Sequence, residues 1–268
     1  GKYFDVPGYH LSEPSPQRTP VLFQAGASGA GKAFAAANAE CVFISTPLKS
    51  ATAAYVREVR QQVAAQGRDP NKVLVYAMAT IIVDETDAKA RAKYEDYQKY
   101  ASYDGALVLM SGWTGIDFGR YAPTDTVKKV QTNAITSAVE RLTDGEKVWT
   151  IEELAKWGGI GGMGPLFVGS ASTVADLLQE WVEETGVDGF NLAYALAHET
   201  FADVIGHLVP ELQKRGVYPT AYREGTLRDK LFGDGPLLPA SHPAARYRDI
   251  EAVKRADAAL REPERVPA

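Results

Sequence analysis

A chain of 268 residues with a formal net charge of -5, 45% apolar and 24% charged, has globular composition and room for one large domain or two small ones. No apolar run approaches the roughly 20 residues that span a bilayer, and the acidic balance excludes the basic footprint of a nucleic-acid binder. The single cysteine, Cys41, excludes an internal disulfide; with no signal-peptide pattern at the N-terminus, the expectation is a cytoplasmic protein acting on small molecules. The sequence opens at Gly1, without methionine, on aromatic and proline-containing residues, which reads as the start of a fragment.

In chain order, Val21-Leu22-Phe23 predicts a short buried strand and Gly29 to Asn38 a small-residue helix. Cys41-Val42-Phe43-Ile44 predicts a second strand. Tyr55, Val56, Val59 and Val63 then recur at helical spacing before Gly67. Val73 to Val83 predicts a third strand and Asp84 to Tyr100 a charged helix. Leu166-Phe167-Val168 predicts another strand, leading to a helix that buries Val174, Leu177, Leu178, Trp181 and Val182 and stops at Gly186. Gly189 to Ala193 predicts a last strand, followed by an amphipathic helix interrupted at Pro210 and closed by Gly216. Residues 103–165 break this rhythm, with WTGIDFGRYAPTDT, a helix-like part near Val127 to Leu142, and the glycine-dense WGGIGGMGP. A connection of that length is either a functional lid or a structural excursion over the fold. The charged residues after Ala245 predict a peripheral helix or frayed end.

Continuous apolar strands alternating with amphipathic helices predict a parallel sheet buried on both faces, in a doubly wound sheet or a (β/α) barrel. About four strand-helix units are visible, half of an eight-fold barrel.

Gln24 to Ala36, QAGASGAGKAFAA, joins the first strand to the first helix and raises two readings. From Gly26 it runs G-A-S-G-A-G-K-A, one residue short of G-x-x-x-x-G-K-[ST]. Lys32 stands where an ATP-binding loop needs it, and Ile81 to Glu85 resembles the acidic-ended strand of such enzymes. Ala33, however, has no hydroxyl for magnesium, which argues against a P-loop ATPase. The second reading is a metal-free phosphate grip: backbone N–H groups at a helix N-terminus, with Ser28 adding a hydroxyl. In a barrel this lies at the strand edge where active sites are built. The same small residues also suit close strand-helix packing alone.

The wider context favours the grip. Ser15 to Ser28 matches S-P-Q-x-x-P-V-x-x-Q-A-G-x-S, and the chain resembles the bacterial-luciferase-like flavin monooxygenases through it. The subgroup is that of nitrilotriacetate, dibenzothiophene-sulfone and long-chain alkane monooxygenases. VPELQKRGVYPTAYREGTLRDKLFG (209–233) and WTGIDFGRY (113–121) are similar to two further segments, in the family's order.

The resemblance implies the C-terminal half of a luciferase-like (β/α)8 TIM barrel over residues 1–245, with an insertion or lid at about 103–165 and a tail at 246–268. It implies a two-component oxidoreductase using reduced FMN from a separate NAD(P)H-dependent flavin reductase, with O2, to oxygenate a small organic substrate. It also implies a homo-oligomer. Gly26, Ala27 and Ser28 match the family's flavin phosphate grip, and Trp113 and His198 fall where substrate-facing residues sit. An aromatic Trp113 in that place suits an apolar substrate such as a long-chain alkane. Catalytic residues are expected largely in the half that the sequence does not contain, which leaves open a non-catalytic flavin-binding remnant.

Trp113 also fits an ordinary core aromatic, and His198 a solvated or structurally bonded histidine. His10, His198, His207 and His242 show no metal-ligand spacing, and HETFADVIGH is not H-E-x-x-H; no Gly-x-Ser-x-Gly elbow supports a hydrolase.

Overall fold

Among the described residues, five parallel strands form one sheet: β1 Phe23–Ala25, β2 Cys41–Ile44, β3 Leu74–Asp84, β4 Leu166–Ser170 and β5 Gly189–Ala193. The structure, a computed structural model, describes residues 3–4, 8, 11–26, 28–127 and 148–261. Ala27, His10, the tail beyond residue 261 and all but the first residue of the helix expected near Val127 to Leu142 lie outside them.

The strand β3 is the spine. Its 11 residues pair with β2 over Leu74–Ala77, with β5 over Tyr76–Thr80 and with β4 over Thr80–Asp84. The short β1 adds to the outer edge of β2, in register from Phe23↔Cys41 to Ala25↔Phe43. It begins two residues later than the apolar run Val21-Leu22-Phe23 predicts. Leu22 is tied instead to the start of β2: its carbonyl accepts from the Glu40 and Cys41 amides, and its own N–H donates to Glu40 Oε2.

Each of the first four strands, the spine included, is followed closely by a helix that packs against the sheet: α1 Gly29–Asn38, α2 Lys49–Ala65, α3 Asp87–Gln98 after β3, and α6 Ala171–Thr185. Val42, Ile44, Val75, Ala77, Ala79, Ile81 and Val83 meet Ala35, Ala36, Val56, Val59, Val63, Val174, Leu178 and Trp181 in the main core. A side-chain cap opens most of these helices, Ser28 on α1, Thr86 on α3 and Ser170 on α6, so the first orphan amides are answered locally. The apolar runs predict burial on both faces of the strands; within the described residues the helix-facing side is closed, while the other side is closed at Cys41, Thr80 and Ile82 and only half-closed along the first part of β3. Leu74, Tyr76 and Met78 alternate with fully buried Val75, Ala77 and Ala79 and stay half-buried.

The helix expected to break at Pro210 runs on without a break: α7 Ala197–Asp203, a π-turn at Val204–Leu208, and α8 Val209–Lys214. Pro210 offers no N–H, and the wider turn just before it, closed by the Val209 N–H on the Val204 carbonyl, absorbs the missing bond. Further along the chain lie α9 Leu227–Phe232 and, in the charged C-terminal segment, α10 Ile250–Arg261.

Residues 103–165 contain two helices that the sequence reading did not place, α4 Tyr103–Thr114 and α5 Ile151–Gly158. They pack into a second, smaller core of Ala106, Leu107, Met110, Phe118, Ile151, Leu154 and Trp157. Thr150 and Glu153 make a capping box at the start of α5, a signal legible in the sequence as T-x-x-E. Among the described residues, no helix is long and apolar enough to cross a membrane.

Candidate functional site

The turn from β1 into α1 lies at the C-terminal edge of the sheet. Ser28 is exposed and caps α1: its Oγ accepts from the Gly31 N–H at 3.1 Å, while its carbonyl accepts from the Lys32 N–H at 2.9 Å. The Gly29 and Ala30 amides, at the first two positions of the helix, have no intrahelical acceptor by geometry. Both residues are exposed, no described atom outside Gly29, its chain neighbours and the nearby helix backbone lies within 4 Å of where a Gly29 side chain would stand, and the first turn carries no acidic residue. Among the described residues, the Ser28 hydroxyl donates its own hydrogen to no acceptor. This donor set suits an anion such as a phosphate.

The turn is tight. A Cβ on Gly31 would stand 3.2 Å from the Gly26 carbonyl carbon and oxygen and from Ser28 Oγ. The Gly26 carbonyl accepts from the Tyr55 hydroxyl of α2 at 3.1 Å. Lys32, the residue that an ATP-binding loop would aim at phosphates, turns away to pair with Glu58 of α2, above the Tyr55 ring. The far end of α1 is also fastened. Arg68 donates to the Ala36 and Ala39 carbonyls at 2.7 and 2.6 Å, placing a cation at the negative end of the helix dipole.

On the face of the sheet away from the helices, Phe23 stacks on Phe43 with ring centroids 5.0 Å apart, and Tyr76 lies 6.1 Å from Phe43. Burial, with Cys41 and Asp188 nearby, pushes the Tyr76 phenol up to about 12, so it stays protonated. The Cys41 thiol is likewise pushed up to about 12, first by burial and then by Glu40 and Asp188, which removes it as a nucleophile. Next along this face, Met78 Sδ accepts from Ser45 Oγ at 3.3 Å. Above Met78 and Thr80 sits the glycine-dense loop, where Thr80 Oγ1 donates to the Gly161 carbonyl at 2.7 Å and Trp157 Nε1 to the Gly164 carbonyl at 3.0 Å. The segment 161–164 thereby hooks the 103–165 region onto the spine strand.

Of the residues singled out by sequence, Gly26 and Ser28 share the β1–α1 turn; Ala27 lies outside the described residues. Trp113 is 42% exposed in the last turn of α4, and His198 is exposed in the first turn of α7. Among the described residues, neither makes a hydrogen bond or ring pairing with the turn. α7 is held by Lys93 of α3, whose Nζ lies 3.0 Å from Asp84 at the end of β3 and 2.7 Å from Asp203. Burial disfavours this ammonium, but the two carboxylates outweigh it and hold its pKa above the usual lysine value. Sequence reasoning missed Tyr55, whose apolar spacing marks it as core, because nothing local shows that its hydroxyl reaches the turn.

The family model for luciferase-like monooxygenases matches residues 1–189. The chain belongs to the luciferase-like monooxygenase family. It is 45% identical over 267 residues to a dimethyl-sulfide monooxygenase of Hyphomicrobium sulfonivorans, covering 98% of this chain and 55% of that protein. The crystal structure of DmoA from that organism superposes with a TM-score of 0.82 over 93% of this chain and 53% of DmoA. A long-chain alkane monooxygenase of Geobacillus thermodenitrificans is 43% identical over 94% of this chain and 54% of its own length. A riboflavin lyase solved with a modified FMN and riboflavin is 32% identical, with a TM-score of 0.79 over 92% of this chain and 55% of that chain. The chain thus spans about half the length of these relatives, and its parallel sheet with covering helices corresponds to part of the luciferase-like (β/α) barrel.

Proposed function

We propose that this chain carries the flavin phosphate grip and part of the substrate chamber of a two-component, FMN-dependent monooxygenase. The observation that carries the reading is the Ser28-capped start of α1 at the C-terminal edge of a luciferase-like sheet, with open amides and no acid in its first turn. Ser28 and the Gly29 and Ala30 amides would hold the phosphate, with Gly26 and Ala27 shaping the turn. FMN, reduced by a separate NAD(P)H-dependent flavin reductase, supplies the electrons with which O2 is activated. The chain's own residues bind, orient and keep water out.

The inward face of Phe23, Phe43, Tyr76 and Met78 supports a small apolar organic substrate, and the 103–165 region, hooked over that face, supports a lid with Trp113 in its helix. His198 stands at the substrate side of α7 in this reading, and the assembly is a cytoplasmic homo-oligomer.

The test is FMN binding by the full natural chain, wild type against Ser28→Ala, followed by turnover with reduced FMN, O2 and either dimethyl sulfide or an alkane. Loss of a charge-assisted hydrogen bond at Ser28 is expected to weaken FMN roughly 10- to 150-fold. Unchanged affinity would move the phosphate elsewhere on the sheet edge, and binding without oxygenated product would favour a flavin-binding protein that does not turn over.

A further inference from the structure

We infer that Tyr55 is a positioning residue for phosphate recognition, acting on the β1–α1 turn from the neighbouring helix α2. The inference rests on the reading that this turn holds the flavin phosphate. A carbonyl directed at a phosphate repels it, so a turn that grips an anion must send its carbonyls elsewhere. The Gly26 carbonyl lies at the mouth of the grip, and its hydrogen-bond partner is the Tyr55 hydroxyl, 3.1 Å away. The donor is well fixed: Tyr55 is 6% exposed and its ring is packed in the main core.

The same side chain carries a second constraint. Lys32 sits with its ammonium 5.9 Å from the centre of the Tyr55 ring and is paired with Glu58, one helical turn along α2 from Tyr55. With Lys32 engaged there, the anion is met by the Ser28 hydroxyl and the first-turn amides. α2 therefore presents a rigid face that holds the carbonyl and the cation of the β1–α1 segment away from the ligand. Gly31 lets the turn close: its missing side chain leaves Gly26 and Ser28 within 3.2 Å of that position. Tyr55 touches neither flavin nor substrate in this account; it sets where the Gly26 carbonyl points.

The discriminating pair of ligands is FMN and riboflavin, which differ by the phosphate alone. In the full natural chain, Tyr55→Phe keeps the ring, its packing and the lysine above it, and deletes one hydroxyl. FMN affinity is expected to fall about 3- to 10-fold while riboflavin affinity and the unfolding midpoint stay at wild-type values. Equal weakening of both ligands would show a merely structural tyrosine and overturn the inference; so would an unchanged FMN-to-riboflavin ratio. Ser28→Ala, measured alongside, separates the two levels. If Ser28→Ala lowers the ratio and Tyr55→Phe does not, only the role of Tyr55 fails; if neither lowers it, the phosphate site itself is wrong.

Discussion

Glu40 and Arg228, 188 residues apart in sequence, form a two-point ion pair at 2.7 and 3.0 Å with side chains 5% and 2% exposed. The remaining guanidinium donors go to the carbonyls of Gln17, Thr19, Pro20 and Pro236. One side chain thus ties the segment before β1, the start of β2 and the loop after α9. Removing it leaves a buried carboxylate unpaired and four carbonyls short of a donor, so Arg228→Met is expected to destabilise by about 3–5 kcal/mol. Urea midpoints check this, and the double variant Glu40→Gln/Arg228→Met is expected to lose clearly less than the sum of the single losses. Strict additivity would mean that the two side chains act independently.

Much of this architecture is legible in the sequence where a local rule decides it. The apolar runs Cys41 to Ile44 and Val73 to Val83 and the stop at Gly186 announce their elements, and SPQRTPVLFQAGAS announces the family. What escapes is long-range: Arg228 appears within the matched T-L-R ending, but nothing near it names Glu40 as its partner. Tyr55 likewise reads as one apolar position of α2, since a phenol at helical spacing gives no hint of where its hydroxyl ends. The helices α4 and α5 escaped for another reason, because Gly105, Gly112 and the glycine run after Trp157 mask a capped helical pattern. Half-open Leu74, Tyr76 and Met78 could not be foreseen either, since a run of apolar residues does not state which face meets helices.

A change at Gly31 separates stability from ligand binding. Within a helix, Gly→Ala gains about 1 kcal/mol from propensity. Here the new Cβ meets backbone atoms of Gly26 and the capping oxygen of Ser28 at 3.2 Å, so the turn must open by a few tenths of an ångström. The two effects are of similar size and opposite sign in folding. Gly31→Ala is expected to leave the unfolding midpoint within about 1 kcal/mol of wild type while weakening FMN several-fold, as titration of both against one sample would show. Unaltered FMN affinity would mean that the closeness of Gly26 to α1 is incidental to binding.

The buried His242 gives the fold an acid-sensitive point. Its Nδ1 accepts from the Ala244 N–H at 3.1 Å, so Nε2 carries the proton that is donated to the Asn38 carbonyl at 3.0 Å, at the end of α1. Burial lowers its pKa from the usual 6.5, and Arg68 and Arg228 lower it further against the opposing pull of the Asn38 carbonyl and Glu40. The unfolded chain therefore takes up the proton first as pH falls. The contribution of His242 is complete above about 6.5 and is lost as pH drops through the depressed folded value. His242→Gln should be less stable than wild type at pH 7.5 but lose less stability between pH 7.5 and 5. Parallel losses for the two proteins would place the acid sensitivity in other groups.

The glycine-dense loop over the spine strand offers a graded test of what holds the 103–165 region down. Gly161 and Gly162 have φ of +86° and +96°, so alanine at either is strained by about 1–3 kcal/mol. Their surroundings differ. A Cβ at 161 would stand 2.4 Å from Cγ2 and Oγ1 of Thr80, a β-branched side chain locked on a strand, and Thr80 would lose its bond to the Gly161 carbonyl. A Cβ at 162 would clash with the terminal methyl of Met78, at 2.4 Å, and touch its sulfur at an ordinary 3.7 Å, and the flexible end of that side chain can swing aside. A Cβ at 164 would meet the Met78 carbonyl at 2.6 Å, and backbone cannot yield. Gly161→Ala and Gly164→Ala are therefore expected to speed amide hydrogen exchange in α5 and shift Trp157 emission, with Gly162→Ala milder on both. Equal effects at 161 and 162 would mean that backbone strain, and not the contact with Thr80, fixes the loop to β3.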